Sequence, residues 1–521
     1  MSGHGPETPS TGAATGSRAA PPTAASRSPS PAEMVIVERL PVWLTFAFLA
    51  ALPFPGLINV VEGASVALMV MLLATPIWFE AARARKSPFD RLAAPAIAVM
   101  MACTGFLIFW SLISIFDATD PLRASRYIAS LIAGFSIYLM IRSTVTRRRL
   151  GLYIDVLALG LAASSALSLL GFEIGVLRDI IFRGTDRAAG FFKNPNQFGM
   201  AISTTLPVVM ALMLSERSRR WLRFACLMLM LLGLLASGSK TNFLLAWGTL
   251  FAVLCGHSWI CYRGSTRYLM LARSVLGSLA FAVLGVALIS VINPRALGIM
   301  LEFFSGEGEV DSLLTRSFLW DYSIDQFLAD PVMGQGAGQR IDIFYREADV
   351  SHSHNVLVDY MRNLGAPGIL VMGAMIATVS TVCLMTIVKA LRSDYGAPGA
   401  RLLCYGLSLG CLSYVAANMS SDSFGPSTSP FFWVFAYLAF AARNLMQTPS
   451  LVLRRSQWQA AVLARLRRFP DILSQEAYDD DSLNGFDRVR RRSRFVMWLV
   501  LLAASLFLAL AMLLLGQSLF A

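Results

Sequence analysis

The sequence predicts an all-α polytopic membrane protein, with about 12–13 transmembrane helices and a large, partly helical outer loop. Three observations carry that prediction. The 521 residues are 56% hydrophobic and only 15% charged, with mean hydropathy +0.59, whereas ordinary soluble domains carry about 25% charged residues. Long uncharged runs recur along the chain, among them Pro95–Phe116, Phe224–Ala236 and Phe495–Gly516. Lys and Arg gather in the short segments between alternate runs, as they do in cytoplasmic loops.

A stretch of about 20 apolar residues matches the bilayer core. With the N-terminus in the cytoplasm, spans are expected at 40–58, 63–80, 93–116, 122–142, 150–172, 196–214, 220–236, 241–260, 273–292, 366–389, 401–418, 429–446 and 495–516. The basic segments Arg83–Lys86, Arg142–Arg149, Ser215–Arg223, Arg263–Arg267 and Arg454–Arg494 then all face the cytoplasm. The net charge of +12 thus reports topology rather than a nucleic-acid partner. Cys103, Cys226, Cys255, Cys261, Cys383, Cys404 and Cys411 lie in spans or at their cytoplasmic ends, without a C-x-x-C pair. Neither a disulfide framework nor a cysteine metal site is indicated.

The expected organisation is a disordered tail at 1–33, rich in Ser, Pro, Ala, Thr and Gly, followed by an N-terminal transmembrane bundle at 34–172. The tail lacks the basic start and short apolar core of a signal peptide. A second membrane domain is expected at 173–446, with its outer loop at 293–353. A basic cytoplasmic segment follows at 447–494, and an additional C-terminal helix at 495–521. Within the outer loop, Leu313–Leu328 places apolar residues at helical spacing, which predicts a helix along the membrane face. The stretch "RRSQWQAAVLARLRRF" at 454–469 reads as a basic amphipathic helix for anionic lipid. Asp479–Asp481 is either a solvated acidic turn or a cation site.

The outer segments carry Arg187, Lys193, Lys240, Arg316, Arg340 and Arg346, although positive-inside logic depletes such residues there. Cations gathered on one face suggest an anionic ligand, and phosphate is the anion that Arg binds bidentately. In "RAAGFFKNPNQFGMA", Arg187–Ala201, the proline pushes Asn194 out of the helical region. Asn196 can then cap the sixth span, or Asn194 can cap it with Pro195 at the first helical position. Either way free N–H groups and the positive dipole end meet Arg187 and Lys193. The same residues also read as a plain helix start, with Lys193 snorkelling to the interface.

"RAAGFFKNPNQFG", "SGSKTNFLL", "TRSFLWDYSIDQFLADPVMGQGAGQ" and "SHSHNVLVDYMRNLGAPG" follow one another in this order. Together they resemble the O-antigen ligase and polymerase superfamily of bacterial membrane glycosyltransferases, over roughly Arg187 to Gly368. The resemblance implies a bacterial inner-membrane protein of polysaccharide biosynthesis whose outer loop is periplasmic. It implies transfer of a glycan from an undecaprenyl-diphosphate carrier to an acceptor hydroxyl, with neither a nucleotide sugar nor a catalytic metal, hence no cofactor. Arg187 matches the family arginine before the Gly and Pro-Asn pair. Arg316 matches the arginine opening the amphipathic segment, and His354 with Asn355 matches its His-Asn pair. Lys240 stands where the family has arginine, keeping one charge and losing the planar fork.

On that reading Arg187, Lys240 and Arg316 meet the diphosphate. His354, whose ordinary pKa is about 6.5, accepts the acceptor's proton, and attack opposite the carrier inverts the anomeric centre. Lys193, Asn194, Asn196, Asn355 and Arg340 are the expected substrate-binding residues. The partners are the carrier-linked glycan donor, a glycan or lipid A-core acceptor, membrane lipid and polysaccharide assembly proteins. Other readings stay open. His352 and His354, near Asp349 and Asp359, lack a convincing third metal ligand. "GQGAGQ" at Gly334–Gln339 is a phosphate nest or a permissive turn. A transporter or flippase for the carrier-linked glycan, or an assembly scaffold, is the reading from another class. Transporters gather binding groups near the midplane, and here the polar groups gather at one face. The sequence does not separate ligase from polymerase.

Overall fold

The computed structural model describes residues 31–55, 66–84, 94–171, 174, 181, 187–292, 298, 309–339, 341, 343–345, 348–350, 352–392, 396–420 and 428–447. The tail before residue 31, the amphipathic stretch at 454–469, Asp479–Asp481, the expected span 495–516 and Arg340 lie outside the described residues.

Thirteen α-helices lie among them. They are α1 (Pro31–Ala51), α2 (Val66–Ala84), α3 (Ala94–Ser114), α4 (Pro121–Thr144), α5 (Arg147–Leu170), α6 (Pro195–Ser215) and α7 (Arg220–Ser237). After them come α8 (Lys240–Cys261), α9 (Gly264–Ile292), α10 (Glu309–Ala329), α11 (Val356–Leu391), α12 (Pro398–Asn418) and α13 (Ser429–Gln447). A small antiparallel hairpin, β1 (Ile343–Tyr345) with β2 (Ala348–Val350), pairs Phe344 with Asp349. Eight helices, α3 to α8 with α11 and α12, are long and apolar enough to cross a membrane. The all-α polytopic prediction holds, and α10 covers the helix expected at 313–328.

The centre of the bundle is α6, which packs against α5, α7, α8 and α12 and is buried along most of its length. Its tightest neighbour is α12, where Gly406 and Gly410 face it one turn apart. A Cβ at Gly406 would stand 2.4 Å from Ala211 Cβ, and one at Gly410 2.4 Å from the Thr204 carbonyl. Pro207 inside α6 cannot donate to the Ser203 carbonyl. Ser413 of α12 supplies a hydroxyl at 3.4 Å instead, the kind of substitution that makes proline tolerable in a membrane helix. Farther out, α3 exposes Phe106, Phe109 and Leu112, and α9 exposes Leu276, Leu279 and Val283. Such apolar faces suit lipid rather than water.

At the C-terminal end of α6 a charged cluster ties three helices together. Arg223 of α7, 2% exposed, donates from Nε to Asp155 Oδ1 of α5 at 2.7 Å and from Nη2 to Oδ2 at 3.2 Å. Its Nη2 also reaches Glu216 at 3.0 Å, and Arg219 pairs with Asp155. The partners of Asp155 lie 64 and 68 residues along the chain, with the whole of α6 between.

At the other end, α11 departs from expectation. Its span was expected from residue 366, and a helical segment does run on from there, but it is preceded by further turns from Val356 and separated from them by a break at Gly365, with φ 65° and ψ −159°. A Cβ there would stand 2.2 Å from the Val332 carbonyl. The freed backbone groups find new partners. Ala366 N–H donates to the Pro331 carbonyl at 2.8 Å, Gln335 N–H to the Arg362 carbonyl at 2.8 Å, and Trp110 Nε1 to the Leu364 carbonyl at 3.1 Å. The segment Pro331–Gln339 is therefore docked into the break of α11. Gly334, Gly336 and Gly338 all have positive φ, the backbone freedom a permissive turn needs, and the Gly334 and Gln335 N–H groups are taken by the Asp330 and Arg362 carbonyls.

Candidate functional site

Arg187 is held by the ends of two helices. Ala188 N–H donates to the Ala236 carbonyl at 3.0 Å and Ala189 N–H to the Ile181 carbonyl at 2.9 Å. Both alanines are buried, so the backbone is pinned against the end of α7 and the side chain is delivered along it. Arg187 Nε donates to the Ser237 carbonyl at 2.8 Å, and Nη2 donates to Asn196 Oδ1 at 2.9 Å. Ser237 is the last residue of α7, whose carbonyls lack intrahelical donors, so the guanidinium also closes that helix. Gly238 follows with φ 58° as the left-handed cap. A Cβ at Gly238 would stand 3.3 Å from Arg187 Nε. Burial pulls the pKa of Arg187 below its ordinary value, the sign expected when a charge is taken from water.

The cap of α6 is now settled between the two asparagines. Asn194 accepts from Gln197 N–H at 2.9 Å, with Pro195 at the first helical position. That leaves the Asn196 side chain to receive Arg187. The Asn196 carbonyl in turn accepts from Asn242 Nδ2 of α8 at 3.0 Å. Asn242 is fully buried, accepts from Ser203 at 3.3 Å and donates to Ser239 at 2.9 Å. Lys240 opens α8 directly after this link and is partly exposed. Arg187, Asn194, Asn196 and Lys240 therefore stand around one meeting of α6, α7 and α8. Lys193 is exposed and has no comparable anchorage in the network.

The second group surrounds His354. Ser353 donates to Asp359 Oδ1 twice, from its backbone N–H at 2.9 Å and its hydroxyl at 2.8 Å. The Ser353 carbonyl accepts from Trp320 Nε1 of α10 at 2.9 Å. On either side of Ser353 stand His352 and His354, with ring centroids 4.4 Å apart. His354 has φ 59°, a left-handed conformation that costs a non-glycine residue on the order of 1 kcal/mol or more. Such a turn persists only when its surroundings fix it. Asn355 caps α11, accepting from Leu357 N–H at 2.9 Å, and its Nδ2 donates to the Met419 carbonyl at 3.3 Å. Arg316 lies one turn before Trp320 on α10, so the two share a helix face.

The two groups share one end of the bundle. Asn418 at the end of α12 donates to Met200 Sδ of α6 at 3.1 Å, and the next carbonyl, Met419, receives Asn355. Met200 lies one helical turn, about 6 Å, beyond Asn196. A short path of contacts thus runs from Arg187 through Asn196, α6, Asn418 and Met419 to Asn355 beside His354. Sequence reasoning missed Asn242 and Asn418, and it had Asp359 only as a weak metal ligand. Asparagine within an otherwise apolar span was the available signal, because a buried amide demands partners. Among the described residues, no three His, Cys, Asp or Glu side chains gather as a metal-binding set.

Residues 225–373 match the family model described as O-antigen ligase. No curated protein matches the chain. The matched stretch runs from α7 to the middle of α11, and it contains Lys240, Arg316, the Ser353 turn and the broken helix, whereas Arg187 and α6 precede it. The match supports a place for this multi-pass membrane protein in the O-antigen ligase superfamily.

Proposed function

We propose that the protein transfers a glycan from an undecaprenyl-diphosphate carrier to an acceptor hydroxyl at the periplasmic face of the inner membrane. The observation that carries this reading is the joining of Arg187 to the His354 turn at one end of the bundle through Asn196, α6, Asn418 and Asn355. The O-antigen ligase match supplies the reaction class.

In the proposed step the acceptor oxygen attacks the anomeric carbon while the bond from that carbon to the carrier's phosphate oxygen breaks. His354 takes the acceptor's proton, and the departing diphosphate keeps the bonding electron pair. Attack from the face opposite the carrier inverts the anomeric centre. Negative charge grows on the leaving oxygens, and fixed cations stabilise that charge most strongly where water is excluded. Arg187 suits this role because the Ser237 carbonyl and Asn196 Oδ1 orient the guanidinium at the meeting of α6 and α7. Lys240 adds positive charge from the start of α8, and Arg316 from about two turns into α10. No step in this scheme calls for a metal ion.

The test is turnover of purified protein on undecaprenyl-diphosphate-linked glycan. His354→Ala is expected to abolish transfer at equal protein level, and normal transfer by that variant would sink the base role. The acceptor is read from the glycans of a deletion strain. Single repeats left on lipid A core would indicate a polymerase, and unattached carrier-linked polymer a ligase. Loss of secreted polymer with unchanged lipopolysaccharide would indicate an exopolysaccharide polymerase.

A further inference from the structure

We propose that Asp359 is a positioning residue that fixes the His352–Ser353–His354 turn by gripping Ser353. The proposal rests on the reading of His354 as the base that accepts the acceptor's proton. Ser353 is fully buried and Asp359 is 4% exposed, so the contact between them is made away from solvent.

The hydrogen bonds of Ser353 are all assigned. Its backbone N–H and its hydroxyl both point at Asp359 Oδ1, and the hydroxyl is also 3.1 Å from the Asn355 carbonyl. Its own carbonyl takes the Trp320 indole N–H. One carboxylate oxygen and one indole therefore immobilise the residue between the two histidines from opposite sides. Asp359 itself lies in the first turn of α11, four residues after the Asn355 cap, and its N–H donates to the Asn355 carbonyl at 2.9 Å. The grip thus comes from a rigid element. This matters because His354 sits in the left-handed region, a conformation that costs a non-glycine residue free energy and persists where its surroundings fix it. Releasing Ser353 lets the backbone relax, and the imidazole swings with it. A general base must stand within hydrogen-bond reach of its proton, and misplacement by about 1 Å can cost about 10²-fold in rate.

Oδ1 makes both contacts, so the role requires an acceptor oxygen at that point rather than a negative charge. An asparagine at 359 can present its amide oxygen there, whereas a leucine of similar size cannot. Asp359→Leu, Asp359→Asn, Ser353→Ala and His354→Ala are compared in the purified full-length chain. The donor is the undecaprenyl-diphosphate-linked glycan extracted from a strain lacking the gene. Asp359→Leu is expected to lower kcat about 10²-fold with KM for the carrier little changed. Asp359→Asn is expected to recover most of that loss. Should the leucine variant not fold, Ser353→Ala, which keeps the backbone bond and loses the hydroxyl, is expected to lower kcat about fivefold at unchanged KM. Wild-type kcat in Asp359→Leu or in Ser353→Ala overturns the proposal, as does an asparagine variant as slow as the leucine one. If His354→Ala is inactive while the positioning variants keep their kcat, only the role of Asp359 falls. If His354→Ala retains wild-type turnover, the base reading falls and the positioning role falls with it.

Discussion

The two ends of α6 hold their arginines through different partners. At the C-terminal end, Arg223 lies between Asp155 and Glu216, with Arg219 on the same aspartate. At the N-terminal end, Arg187 gives its Nε and Nη2 hydrogen bonds to the Ser237 carbonyl and the Asn196 side chain, both neutral. A carboxylate partner satisfies an arginine and cancels its charge, which serves to lock α5, α6 and α7 together. The carbonyl and the amide oxygen fix the direction of the Arg187 fork. The same side chain thus serves as a fastener at one end and as part of a candidate site at the other.

The largest expected effect falls on the fastener. Arg223→Leu leaves Asp155 buried with half its partners gone, and removing one member of a buried pair costs about 3–5 kcal/mol. Thermal unfolding in detergent is expected to show a large drop in Tm. Replacing Asp155 by leucine as well should restore much of it, because the charges that then lose a partner, Arg219 and Glu216, reach solvent. Turnover per folded molecule is expected to stay near wild type. Lost turnover with an undiminished Tm would place Arg223 among the functional residues and erase the division between the ends.

Next in size is Arg187→Ala, expected to lower turnover of carrier-linked glycan by about 10²-fold or more. It also uncaps α7 and strands Asn196, so a modest fall in Tm should accompany the loss. Unchanged turnover would reduce Arg187 to a helix cap, and the two ends would then differ in partner but not in purpose. Arg187→Lys keeps charge without the fork, and recovery of stability without rate would separate the two roles.

The division between the ends was only half legible in the sequence. The helices were readable because apolar runs of bilayer length leave few alternatives, and the ordered helix α10 was readable from its spacing. The start of the Arg187 site was readable because Asn-Pro-Asn forces a cap, although which asparagine caps required the position of Arg187. Hidden were the contacts that cross between spans. Nothing local joins Asn355 to Met419, Asn418 to Met200, or Arg223 to Asp155, since each pair is set by packing between helices distant in sequence. The turns Val356–Leu364, which precede the span expected from residue 366, were hidden for a related reason. A break at Gly365 is punctuation by local rules, and only the docked Pro331–Gln339 segment lets the helix resume after it.

A smaller effect is expected from Asn194→Ala. The variant loses the bond to Gln197 N–H and with it about 1 kcal/mol of helix-cap stability. Because Asn196 still receives Arg187, turnover is expected to fall far less than in Arg187→Ala. A loss as deep as that of Arg187→Ala would mean that the α6 N-terminus itself meets the ligand, and that Asn194 acts on more than the cap.

The smallest effect is expected at Lys240, where the site carries an ammonium and the family resemblance implies a guanidinium. An ammonium meets phosphate as a compact point charge, while an arginine would offer two parallel donors. If Lys240 supplies charge alone, Lys240→Arg preserves the quantity that matters, and turnover should stay within about threefold of wild type. The fork of Arg187 is already oriented by Ser237 and Asn196 on the adjoining helix ends, so a second fork has little left to orient. A gain of tenfold in Lys240→Arg would contradict this, showing that two-point contact at α8 limits the present chain. A loss of tenfold would show that the link from Gly238 to α8 is shaped around the slimmer lysine, and that its place beside Arg187 depends on fit as much as on charge.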